Sequence, residues 1–154
     1  MDIGSLEDIW PLQAALNRQA GFDTEAIGRA LAESLTAEGT PSAEAALAAG
    51  QAIKNYLDAL DAERSELRDC LSWKHWYREA KEGRQYQLTD LQNARVEAID
   101  ILFFWISICQ LLGLAPADVY RLYEKKLGVN RRRQQENRTQ AEHADHEHEN
   151  RQVE

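Results

Sequence analysis

Apolar residues recur at intervals of three and four along every long segment of this chain, and strand-like alternation is almost absent. The pattern predicts an all-α domain folded as an antiparallel helical bundle. A first helix is expected from about Pro11, a favourable first-turn residue, to Ala20, closed by Gly21. A second is expected from Thr24 to Glu38, with Thr24 as N-cap and Gly39 beyond its end. EGTPS then reads as a turn. From the capping residue Ser42, EAALAAGQAIKNYLDALDAERSELRDCL keeps the helical period for about eight turns, tolerating Gly50 at some cost. WKHWYREAKEGRQYQ interrupts the pattern, with a break at Gly83. A further helix opens near Thr89, carries LQNARVEAIDILFFWISICQLL and stops at Gly113. Pro116 starts PADVYRLYEKKL, which Gly128 is expected to end.

Beyond VNRRRQQ the sequence becomes ENRTQAEHADHEHENRQVE, with one valine and almost no other apolar residue. Such a segment cannot offset the entropy of its own ordering. Residues 138–154 are therefore expected to form a disordered acidic, histidine-containing tail behind a single domain at residues 1–137. Its histidines, His143, His146 and His148, are flanked by acids and read as solvated side chains rather than a metal site.

The most apolar run, ILFFWISIC at 101–109, is too short for a membrane span, which takes about 20 apolar residues. Asp100 and Gln110 close it on either side, so a buried helix is expected and no membrane partner. So much apolar surface on so few helices predicts that subunits assemble, as a homodimer or homotetramer. A length of 154 residues suits one domain with a real core. The net charge of −8, with acids spread throughout, offers no basic face to a phosphate backbone, which argues against nucleic acid as a partner. Cys70 and Cys109 both fall in apolar helical pattern and read as core thiols of a reducing compartment. The start, MDIGSLEDIW, carries acids and no long apolar run, so neither a signal nor a transit peptide is expected. The expected location is the cytoplasm, or the host cytoplasm for a viral protein.

Within this helical frame the acids stand out. Glu63 and Glu66 are three apart and so share one helix face; Glu97 and Asp100 do the same on the later helix. If the two helices pack antiparallel, four carboxylates converge. Like charges in one crevice require cations, and hard oxygen ligands suit Mg²⁺, with Mn²⁺ as a substitute. A competing reading makes Glu63 and Glu66 solvated and pairs the others with Arg68 or Arg95 in a structural ion network.

Several segments, in order, resemble the dimeric all-α dUTPases of the MazG-like nucleoside triphosphate pyrophosphatase group. ERSELRDCLSWKHW is similar to that family's first metal motif, ExxEL followed by P-W-K-x-W, with Ser72 where proline is usual. DLQNARVEAIDILFF is similar to its second, N-x-x-x-E-x-x-D, at Asn93, Glu97 and Asp100. KLGVNRRRQ at 126–134 resembles its phosphate segment, and LQAALN at 12–17 its nucleoside-side element. The resemblance covers about residues 6–136. It implies that Glu63, Glu66, Glu97 and Asp100 hold Mg²⁺, with Glu63 and Glu66 catalytic and Glu63 also steering the attacking water. It implies further that Gln13, Asn17 and Trp73 meet the nucleoside, and that Lys126, Asn130 and Arg133 meet the phosphates.

Each of these has a plainer reading. Gln13 and Asn17 suit surface amides, Trp73 and Trp76 suit core aromatics, and NRRR suits a solvated helix end. The sequence also departs from the family: Phe103 stands near where His-Phe is common, Thr24 where an aromatic follows Gly-x-Asp, and QENRTQ where a glycine- and tyrosine-containing segment is usual. These departures touch base recognition more than metal chemistry. The expected activity is hydrolysis of a deoxynucleoside triphosphate to the monophosphate and pyrophosphate, dUTP favoured. The alternatives are dCTP, dATP or dGTP as substrate, or a non-catalytic helical oligomerisation protein.

Overall fold

A computed structural model describes residues 3–136, 149–151 and 153. Six helices account for nearly all of the regular structure: α1 (Leu6–Gln19), α2 (Thr24–Glu33), α3 (Ala43–Asp69), α4 (Arg78–Lys81), α5 (Leu91–Leu111) and α6 (Pro116–Gln135). Among the described residues strand pairing is limited to one bridge, Leu71 to Leu88, so the fold is all-α as the periodicity predicts. The chain forms two compact units, Met1–Gly113 and Leu114–Glu154. No single helix among the described residues is long and apolar enough to cross a membrane.

In the first unit α5 is the central element, packing on α3 most extensively and on α1 and α2 as well. Three contacts fix how α3 and α5 run. Tyr56 meets Phe104 with ring centroids 6.2 Å apart, Glu63 interacts with Glu97 and Asp100, and Asn93 Nδ2 donates to Cys70 Sγ at 3.4 Å. Positions rise along α3 as they fall along α5, so the pair is antiparallel. The core gathers around the C-terminal half of α5, where Ile106, Cys109 and Leu111 are buried with Trp10 and Ala14 of α1. Trp10 meets Trp105 edge-on at 6.5 Å. Burial also pushes the Cys109 thiol up to about 11, as expected of a core cysteine.

Gly28 decides how closely α2 approaches α5. A Cβ at this position would lie 1.9 Å from the carbonyl oxygen of Gln110 and 2.9 Å from the Gly113 nitrogen. Only a residue without a side chain permits that approach.

Several helix ends fall elsewhere than the pattern suggests. α1 begins at Leu6, not Pro11, because Asp8 accepts from the backbone N–H groups of Gly4 and Ser5, both at 3.0 Å, and caps the first turn. Pro11 sits inside the helix. Asp23, not Thr24, caps α2 by accepting from Ala26 N–H at 3.0 Å, and that helix ends at Glu33, five residues earlier than Glu38. Ser42 caps α3 as expected, accepting from Ala45 N–H at 3.2 Å. In the second unit Ala115 N–H donates to Asp118 at 3.0 Å, and Pro116 occupies the first turn of α6. That helix runs through Gly128 to Gln135, its later turns carrying Val129 and Arg133, buried and four residues apart.

Residues 138–148 of the expected tail, including His143, His146 and His148, lie outside the described residues.

Candidate metal centre

The α3–α5 pairing brings the four predicted acids into one neighbourhood. Ligand oxygens of Glu63, Glu66 and Glu97 all lie within 4.8 Å of one another. Asp100 joins them electrostatically and shares a wall with Glu63 in a cavity of about 440 Å³, also lined by Gln13, Leu16, Phe103 and Phe104. Glu97 is buried, Glu63 and Asp100 are half-buried, and Glu66 is exposed.

The electrostatics of this cluster are those of crowded anions. Loss of solvation holds the Glu63 carboxyl above its ordinary value. The charges of Glu66, Asp100 and Glu97 push it further the same way, as does a hydrogen bond with Glu97. Among the described residues none of the ion pairs within 4.0 Å joins any of the four acids to a lysine or arginine. Arg68, the expected structural partner, instead lies over the Trp73 ring, 4.5 Å from its centroid. Arg95 makes no pair with the acids either. The donor set is all carboxylate oxygen, from two rigid helices, with ligand atoms close enough to share one ion. It fits a hard divalent cation.

The other expected residues divide into groups. Gln13 and Asn17 are buried, not surface amides, and Gln13 borders the acid-lined cavity. They belong to a polar network with Thr24, Ser107 and Gln110. Trp73 is half-buried, donates its indole N–H to Asp69 at 2.8 Å, and lines a second cavity of about 550 Å³ with Asp69, Lys74, Tyr77 and Glu79. Trp76 meets Trp73 edge-on at 6.0 Å but is itself exposed, so it is not a core aromatic. Lys126, Asn130 and Arg133 lie on α6 in the second unit. There Lys126 donates to Asn150, Arg133 Nε donates to Glu149 at 2.5 Å, and Asn130 is exposed.

Ser72 explains its own departure from proline. Its N–H donates to the Gln87 carbonyl at 2.9 Å, a bond that proline cannot make. Its hydroxyl donates to the Arg84 carbonyl at 2.7 Å, closing the loop that carries Trp73 and Trp76.

The hydrophobic pattern gives Ser107 no role, shows Gln110 only as the polar end of the apolar run, and suggests Thr24 as a cap. Two polar residues three apart at the end of the most apolar run were the available signal, since a buried polar side chain needs partners. Comparison with protein-family models, with characterised proteins and with solved structures returns no match to this chain.

Proposed function

We propose that this protein is a Mg²⁺-dependent deoxynucleoside triphosphate pyrophosphohydrolase, releasing the monophosphate and pyrophosphate, with dUTP the favoured substrate. One observation carries the reading: four acids from two antiparallel helices converge beside a cavity, and among the described residues no cationic side chain is in ion-pair reach of them. The resemblance of the same segments to the dimeric dUTPases supplies the reaction. Mg²⁺, when bound, supplies charge neutralisation of the phosphate oxygens and a water of lowered pKa. Glu63, Glu66, Glu97 and Asp100 would hold it.

The remaining chemistry belongs to the chain. Glu63 sits at the cavity wall, where it orients the attacking water and takes its proton. Gln13 lines the same cavity, on the side the resemblance assigns to the nucleoside. Lys126, Asn130 and Arg133 belong to the second unit, and the proposed chemistry rests on the first unit alone.

An apolar face bears on assembly. Ile3, Leu12, Leu16, Ile99 and Phe103 line a cavity of about 350 Å³, and all five are exposed. A homodimer covering this face is part of the proposal. The same face favours the alternative of a non-catalytic helical oligomer.

The deciding measurement is pyrophosphate release from dUTP, dCTP, dATP and dGTP with Mg²⁺. Release from at least one, abolished by chelation, is expected. Isothermal calorimetry with a nonhydrolysable analogue separates the alternative, which predicts no Mg²⁺-dependent heat.

A further inference from the structure

The buried amides of the first unit have a polarity that the backbone sets. Gln110 Nε2 donates to the Trp10 carbonyl at 2.9 Å, and since a carbonyl only accepts, the Gln110 amide has one orientation. Its Oε1 therefore faces inward, accepting from the Thr24 hydroxyl at 2.6 Å, with Asn17 Nδ2 more distant at 3.5 Å. With its proton committed, Thr24 Oγ1 accepts from Asn17 Nδ2 at 3.2 Å. Ser107 is tied in the same way. Its hydroxyl donates to the Phe103 carbonyl at 2.9 Å, which leaves its oxygen to accept from Asn17 Nδ2 at 2.9 Å and Gln13 Nε2 at 3.2 Å.

Asn17 must then turn its oxygen toward Gln13, whose Nε2 donates to it at 3.0 Å. The chain of donors ends at Gln13 Oε1, which is buried and has no partner among the described residues. A flipped Gln13 would set its oxygen against two groups already serving as acceptors. Five side chains thus transmit the direction of two backbone carbonyls, those of Trp10 and Phe103, to the last atom of the series, on a residue that lines the cavity of Glu63 and Asp100.

We infer that Thr24, Ser107 and Gln110 are positioning residues for specificity, holding the Gln13 amide with its oxygen as the open acceptor. The site then selects a ligand whose ring edge offers an N–H donor, as a uracil imide does, over one that offers a ring nitrogen acceptor, as cytosine does. The inference rests on the nucleotide reading proposed above. Because Gln13 Oε1 is covered in the ligand-free protein, base binding requires a local rearrangement of the cavity wall.

The test titrates the nonhydrolysable α,β-imido analogues of dUTP and dCTP, with Mg²⁺, into the full-length protein and its Thr24→Val, Thr24→Ser and Ser107→Ala variants. Thr24→Val keeps the volume and removes the hydroxyl, whereas Thr24→Ser keeps the hydroxyl. A preference for the dUTP analogue of roughly tenfold or more is expected in the parent and in Thr24→Ser. It is expected to fall several-fold in Thr24→Val, where Ser107, held by the Phe103 carbonyl, alone still orients the Asn17 and Gln13 amides. A Thr24→Val protein that loses affinity for both analogues by one factor, keeping their ratio, overturns the inference and leaves Thr24 a packing residue. Should Thr24→Val fail to fold, Ser107→Ala carries the same ratio test.

Side-chain amide NMR of the ligand-free parent supplies an independent arm. An Overhauser contact between the Gln13 amide protons and Ser107 is expected, and its absence overturns the relay whatever the nucleotides do. If that contact is present and both analogues bind equally, the selectivity inference alone falls. If neither analogue binds, it falls together with the nucleotide reading.

Discussion

In its N-terminal half α5 brings Glu97 and Asp100 to Glu63 and Glu66 of α3; in its C-terminal half it brings Ser107 and Gln110 to Gln13, Asn17 and Thr24. Both ends gather polar side chains between helices, but they are satisfied differently. The neutral end nearly closes on itself: among the described residues its amides and hydroxyls bond to one another and to two backbone carbonyls, and one buried oxygen is left over. The anionic end does not close on itself: beyond one hydrogen bond between Glu63 and Glu97 its carboxylates repel one another, and among the described residues no lysine or arginine comes within ion-pair reach. A neutral network stabilises the fold that contains it. An uncompensated anionic cluster strains the fold until something outside the chain neutralises it. Substitutions at the two ends should therefore fail in opposite ways, one in stability and the other in ligand-dependent behaviour.

The sharpest contrast is expected from Glu66→Gln. Removing one carboxylate while keeping the side chain's shape should lower pyrophosphate release from dUTP on the order of 100-fold or more in kcat, with substrate affinity changed far less. Stability without metal should hold or rise, because a like charge is gone. Urea unfolding and steady-state kinetics on one preparation measure both. Activity within a few-fold of the parent would remove Glu66 from the proposed centre.

At the neutral end the matching test is Gly28→Ala. One added methyl must displace the Gln110 carbonyl or push α2 away from α5, and overpacking of this kind costs about 1–3 kcal/mol. The urea midpoint should fall with little change in slope. Mg²⁺ sharpens the comparison. At about 100 times its dissociation constant it should stabilise the parent by about 2.7 kcal/mol. That gain should persist in Gly28→Ala and vanish in Glu66→Gln. A gain that survives both substitutions would mean the ion binds elsewhere.

How much of this was legible in the sequence follows the same division. The acids announced themselves because spacing of three on a helix is a geometric statement, and charge beside the apolar run of α5 calls for a partner. The antiparallel meeting of α3 and α5, posed only as a condition, is what makes that spacing matter. The amide network was illegible. Glutamine, serine and threonine carry no periodic signal, and which of them meet depends on helix packing that Gly28 permits by what it lacks. Thr24 shows the limit well: its residue type suits an N-cap, yet Asp23 one position earlier takes that role and frees the threonine hydroxyl for Gln110. The early start of α1 was missed because Asp8 reaches back to Gly4 and Ser5, whereas Pro11 drew attention as an initiator. The length of α6 is hidden in the sequence because Gly128 resembles a stop, while the helix continues past it through Val129 to Gln135.

The smallest expected effect is the pH response of the metal-free protein, and its sign separates the two ends once more. Folding raises the proton affinity of Glu63 from its ordinary value of 4.5, through lost solvation first and the charges of Glu66, Asp100 and Glu97 after it. An acid of this kind favours the folded state while protonated and opposes it once ionised. Its contribution is therefore harmless below 4.5 and becomes a penalty as pH rises from there through the folded value. Glu63→Gln should abolish this part of the decline, giving a flatter dependence of melting temperature on pH above 4.5 and a slightly more stable protein at neutrality. Saturating Mg²⁺ should oppose the decline in the parent, since the ionised carboxylates are then the binding form. Thr24→Val, which leaves every carboxylate in place, should shift the melting curve down at all pH values without changing its slope. Equal slopes for the parent and Glu63→Gln would mean that the acids of α3 and α5 do not crowd one another in solution.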